Sequence, residues 1–172
     1  MNGRISRCLV LLILLLSCAA ATAHKASDSY LRIAVAGNQL QVHWDIALRD
    51  LQTVLALDGN GDGAITWGEL RARHTDIAAY ALARLSLRSA DAPCIPRRPE
   101  LQVDRHTDGA YAVLRFTADC TTTPREIDIA YHVFCEVDRQ HRGLLQLHAA
   151  GTLHTAVFSP EHPRQQVQTA HS

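Results

Sequence analysis

The twelve residues Asp58-Gly59-Asn60-Gly61-Asp62-Gly63-Ala64-Ile65-Thr66-Trp67-Gly68-Glu69 constrain this chain more than any other stretch. Side-chain oxygens stand at the first, third and fifth positions (Asp58, Asn60 and Asp62), and a backbone carbonyl suffices at the seventh, Ala64. Thr66 at the ninth can donate its own oxygen or hold a water, and Glu69 at the twelfth can close a shell with two carboxylate oxygens. Gly63 at the sixth supplies the sharp turn, since a residue without Cβ reaches positive φ at little cost. Each of these positions fits an EF-hand loop, whose oxygen-only donors suit a hard cation, and Ca²⁺ is the expected cofactor. A surface turn rich in Asp, Asn and Gly would explain half of the pattern. It does not explain apolar Ile65 between Gly63 and Thr66, the glutamate at the twelfth position, or helical flanks on both sides. Thr66-x-x-Glu69 also reads as a capping box, a role in competition with chelation by the same carboxylate.

The flanks carry helical periodicity. Ile46, Leu48, Leu51, Val54, Leu55 and Leu57 include a 3.6-residue stripe, with Asp45 as its expected N-cap. Trp67 to about Leu85 is alanine-rich and carries Leu70, Ile77, Ala81 and Leu85 at spacings of four and seven. Outside this segment, at about 46–85, the chain reads as strands. Tyr30–Val35 and Leu40–Trp44 alternate around Gly37-Asn38, a hairpin signal. Further strands are expected at Leu85–Leu87, Leu101–Val103, Tyr111–Phe116, Ile127–Val137, Leu144–Ala149 and Leu153–Phe158. The fold expected is α+β, a mainly antiparallel β-sandwich with an inserted helix-loop-helix EF-hand.

Met1 to Ala23 has the form of a secretory signal peptide: Arg4 and Arg7, the apolar run Leu9–Leu16, and Ala21-Thr22-Ala23 as a small-x-small cleavage site. An uncleaved anchor or a lipidated Cys18 are the alternatives. The exported domain is then 24–158, and 159–172, with Pro160, Pro163 and several glutamines, reads as a flexible tail. The whole chain has 17 basic and 17 acidic residues. Loss of the leader leaves a charge of about −2, which gives no support to nucleic-acid binding. Export, with the periplasm as the expected location, also directs the cysteines. Cys94 and Cys120 sit beside turn residues at strand edges and are expected to form a disulfide, and Cys135 a buried free thiol.

Four segments together resemble the exported N-terminal region of HupE/UreJ-type membrane proteins. They are His24-Lys25-Ala26-Ser27-Asp28-Ser29-Tyr30-Leu31, Trp44-Asp45-Ile46-Ala47-Leu48-Arg49-Asp50-Leu51, the loop with Thr66-Trp67-Gly68-Glu69, and His141-Arg142-Gly143-Leu144-Leu145. The resemblance spans nearly all of the exported chain. It implies a stand-alone or truncated ectodomain, because family members continue from a segment resembling His154–Pro160 into a multi-helix membrane module associated with nickel handling. The partner it implies is such a membrane-embedded module, with a second copy of the chain as the alternative. Ten histidines raise a second function class, an accessory domain for nickel or another transition metal. His24 as a new N-terminus, and His148 with His154 across a hairpin, are its candidate ligands. No nucleophile elbow, HExxH or phosphate loop is present, so no enzymatic role is expected. Trp44 is expected in the core and His141-Arg142-Gly143 in a turn leading into a strand.

Overall fold

A computed structural model describes residues 28–169. The expected leader, Cys18 and His24 lie outside the described residues. The chain opens with a hairpin, β1 (Asp28–Ala36) and β2 (Gln39–Ala47), then three helical segments, α1 (Leu48–Leu55), α2 (Trp67–Ala72) and α3 (His74–Leu82). Next come β3 (Leu85–Ser89), β4 (Ala92–Pro93), β5 (Ile95–Pro96), β6 (Glu100–His106) and β7 (Gly109–Asp119). The chain ends with β8 (Glu126–Tyr131), β9 (Arg142–Ala149), β10 (Thr152–Phe158) and β11 (Arg164–Gln168). The class is α+β, with two sheets. The larger runs β10-β9-β1-β2-β7-β5, with β6 also paired to β7, and the smaller runs β11-β8-β3-β4. Among the described residues all pairings are antiparallel except β1 with β9.

Alternation explains the inner face. Successive strand side chains point to opposite sides, so Leu40, Val42, Trp44 and Ile46 of β2 and Leu31 and Ile33 of β1 turn inward and are buried. They share one apolar cluster with Leu87, Ile127, Ile129 and Tyr131 of the smaller sheet. Trp44 and Tyr131 meet edge to face, 5.7 Å between ring centroids. The same alternation overturns the expected role of Asp45. The strand continues to Ala47, which precedes α1 without a side-chain cap, and Asp45 points from the outer face, where Arg32 pairs with it.

Three other expectations are corrected. The helix after the loop is not continuous, because Arg73 leaves helical geometry (φ −95°, ψ 9°) between α2 and α3. Its guanidinium Nη2 donates to the Leu55 carbonyl at the end of α1, 2.7 Å away. The strand expected to reach Val137 stops at Tyr131. Phe134 takes a positive φ of 59°, and Val137 and Asp138 N–H both close onto the Phe134 carbonyl in a turn. Cys135 therefore lies in that turn, half-buried and free, with burial raising its thiol pKa. The segment expected as a loose tail contains β11, paired with β8 from Arg164↔Ala130 to Gln168↔Glu126. Cys94 and Cys120 are bonded, closing a loop across a sequence separation of 26. A crosslink of that span removes about 3 kcal/mol of denatured-state entropy, and such bonds persist in oxidising compartments.

The turn after β8 returns as His141-Arg142-Gly143 into β9. Gly143 lies so close to Tyr131 that an added Cβ would stand 2.9 Å from its ring. The Tyr131 hydroxyl meets His141 Nε2 at 2.8 Å and also the Ser29 hydroxyl. Burial pushes the His141 pKa down to about 4 from its ordinary 6.5. A group with a depressed basic pKa is protonated first in the unfolded chain, so acid favours unfolding. Stability should fall by roughly 3 kcal/mol as pH drops from 6.5 to 4 on this account and level off below. Urea unfolding at pH 7, 6, 5 and 4 should show this slope, and His141→Gln should flatten it. An unchanged slope in the variant would assign the acid sensitivity to other groups.

Candidate calcium loop

The loop is anchored at both ends by core residues. Leu51 of α1 and Leu57 just beyond it, then Leu70 of α2 and Ile77 of α3, are all buried in the apolar cluster, with Ile65 packed partly against it. Ala56 ends α1 in the left-handed region at φ 48°, its N–H bonded to the Gln52 carbonyl at 3.0 Å. Gln52 also accepts the Asp58 N–H on Oε1 at 2.8 Å, which fixes the loop's first residue to the preceding helix.

From Asp58 the backbone winds around its own side-chain oxygens. Asp58 Oδ1 accepts from Gly61 N–H at 2.7 Å, and Oδ2 accepts from Gly63 N–H at 2.8 Å. Asn60 Oδ1 accepts from Asp62 N–H at 2.9 Å, and Asp62 Oδ1 from Ala64 N–H at 2.8 Å. The second oxygen of Asp62 accepts from the Asn60 amide at 2.9 Å. Gly63 has φ of 84°, the left-handed conformation expected at the sixth position. A carboxylate offers about four lone-pair directions, so these bonds leave acceptor capacity on both aspartates.

Glu69 spans the loop from its other end. Its Oε1 accepts from Gly59 N–H at 2.9 Å, and its Oε2 accepts from Thr66 N–H at 2.9 Å and from the Thr66 hydroxyl at 2.8 Å. Thr66 Oγ1 in turn accepts from Glu69 N–H at 3.3 Å, completing the capping box that opens α2. The Thr66 backbone donor, followed by its hydroxyl and the Gly59 N–H, holds the Glu69 carboxyl below its usual pKa. Among the described residues no three His, Cys, Asp or Glu side chains gather as a metal-holding group. Within the loop the reason is local, because Glu69 lies back on Thr66 and Gly59. Asp58, Asp62 and Glu69 are nevertheless three acidic side chains in twelve residues that include no basic one, and none forms a salt bridge among the described residues.

Sequence reasoning missed Gln52 and Arg73, which tie the loop and its flanking helices together. Nothing in local spacing marks either one, since each acts on a backbone group from another turn or element. The histidine candidates do not converge. His148 pairs with Leu153 and His154 with Leu147 in the β9–β10 register, and since paired residues share a face, the two imidazoles stand on opposite sides of the sheet. No described helix is long and apolar enough to cross a membrane. A scan against protein-family models and a search of the curated proteins both return no match.

Thr66→Ala should destabilise the protein by about 1 kcal/mol, lowering Tm by roughly 2–4 °C, and should raise the Glu69 pKa part of the way to its usual value. Thr66→Ser should retain both. Carboxyl-resolved NMR titration of the three proteins reads the Glu69 effect separately from the melt.

Proposed function

We propose that this is a calcium-binding exported domain, two sheets stacked as a β-sandwich with one EF-hand inserted between β2 and β3. The side chains of Asp58, Asn60, Asp62 and Glu69, the Ala64 carbonyl and Thr66 would hold the ion. The observation that carries this reading is electrostatic. Three acidic residues stand in one twelve-residue loop that has no basic residue, and none has a salt bridge among the described residues, on a backbone already wound about side-chain oxygen atoms. Like charges within one short loop repel, and a divalent cation that prefers oxygen ligands would remove the repulsion. Bound there, calcium would neutralise the loop and fix the direction of α2 relative to α1, with Glu69 exchanging its cap for the metal.

A structural role fits better than a sensory one. Leu51, Leu70 and Ile77 already bury the helices on the core, so this hand has a packing surface without a second hand beside it. With three acidic side chains the expected Kd is about 10⁻⁴ to 10⁻³ M, the range of extracellular modules. Export is supported by the disulfide and by the leader read from the sequence, and the resemblance to HupE/UreJ-type proteins points to the periplasm and to a membrane-embedded partner. Nickel carriage lacks comparable support, as His148 and His154 stand apart.

Trp67 lies within the loop and is 48% exposed, whereas Trp44 is fully buried, so tryptophan fluorescence reports on the loop against a constant background. Calcium titration should give one saturable transition, and at 100-fold excess over Kd should stabilise the fold by about 2.7 kcal/mol, raising Tm by roughly 5–10 °C. Glu69→Gln should weaken binding at least tenfold while leaving the protein folded. Absence of a calcium transition, with stoichiometric binding of Ni²⁺, would overturn this function in favour of metal delivery.

A further inference from the structure

The outer face of the larger sheet holds a second, unrelated arrangement. Strand register sets it out as two parallel rows. One row runs Asp45, Tyr30, Leu144, Val157 across β2, β1, β9 and β10; the next runs His43, Arg32, Gln146, Thr155. At the β1–β10 end these rows floor a cavity of about 480 Å³, overhung by His106 from the end of β6. Among the described residues Arg32 is the one formally charged side chain lining it.

Arg32 is held from below. Asp45 is fully buried, and its Oδ2 pairs with Arg32 Nη2 and lies 3.3 Å from His106 Nε2. Its Oδ1 lies 2.7 Å from His43 Nε2, off the line of a directed hydrogen bond. A carboxylate with no exposure on the outer side of a sheet is costly and contributes nothing to the apolar core. What it does is fix the guanidinium. Arg32 remains 43% exposed and has five N–H donors in a planar fork, of which Asp45 engages one end. Gln146 and Thr155 continue its row, and the adjoining row brings Leu144 and Val157 into the same cavity, the latter 52% exposed. Asp28 and Asp108 also act on this end of the sheet, where their charges bear on Tyr30.

From this juxtaposition we infer that the groove binds a small organic carboxylate with a short apolar chain, its carboxylate on Arg32, Gln146 and Thr155 and its chain along Leu144 and Val157. A planar guanidinium pinned by a buried acid is a pre-organised fork for a second carboxylate. The adjoining apolar row distinguishes an amphipathic ligand from a bare anion.

The test is an amide-resolved NMR titration of the whole protein with hexanoate. Saturable shifts confined to β1, β9 and β10, with a Kd of about 1 mM, are expected. Acetate and hexan-1-ol, each lacking one half of the chemistry, should bind about tenfold more weakly or not at all. Arg32→Gln should lose binding. Since that change leaves Asp45 unpaired and endangers the fold, Thr155→Glu serves as the second variant: it sets a negative charge at the exposed rim, should preserve Tm and should also abolish binding. No saturable shift at the groove, equal binding of acetate and hexanoate, or undiminished binding by a folded Thr155→Glu protein would each overturn the inference.

Discussion

The edge-to-face contact of Trp44 with Tyr131 is where the two sheets become one structure. Each ring is buried, and each is tied to something outside the apolar cluster. Trp44 belongs to the strand that leads without interruption into α1 and the acidic loop. Tyr131 belongs to the strand end where the chain turns back through His141 and Gly143. Aromatic pairs of this kind add about 0.5–1.5 kcal/mol beyond the area they bury. Here the contact also fixes register, because a slip of one residue in β2 would turn Trp44 outward and Asp45 inward.

The strands were legible because the period-two pattern is strong wherever one face meets the core. Residues 28–47 show it plainly: the hairpin, its turn at Gly37-Asn38 and the inward set Leu31, Ile33, Leu40, Val42, Trp44 and Ile46 all follow from alternation. The disulfide was legible from the expected export and from position beside turns. Alternation failed where tertiary contacts decided. The tail from Ser159 lacks apolar alternation, yet Val167 is buried and Glu126 takes hydrogen bonds from Gln166 and Gln168, so β11 forms as an added edge strand. The break at Arg73 has no glycine or proline to announce it. Asp45 stood next to a helical stripe and looked like a cap, whereas the strand expected to end at Trp44 ran three residues farther, to Ala47.

Of the two outward-facing arrangements, the loop could be read from sequence and the groove could not. A loop whose polar side chains lie within twelve residues is a local code, with spacing that survives any tertiary context. The groove draws on β1, β2, β6, β9 and β10, and its residues become neighbours only through the register of long-range pairings. Asp45 is the hinge between the two views. It sits three residues before α1, yet its carboxylate belongs entirely to the far side of the sheet.

The parallel pairing of β1 beside β9 has a temporal consequence. Asp28 lies against Arg142 and Ala34 against His148, so β1 finds this neighbour only after more than a hundred further residues have appeared. Until then one edge of the β1–β2 hairpin is bare, with an alternating apolar face exposed beside it. Such an edge is a template for mispairing with other chains. The emerging chain thus passes through an interval in which this hairpin is adhesive, and a holdase covering its open edge would limit the hazard.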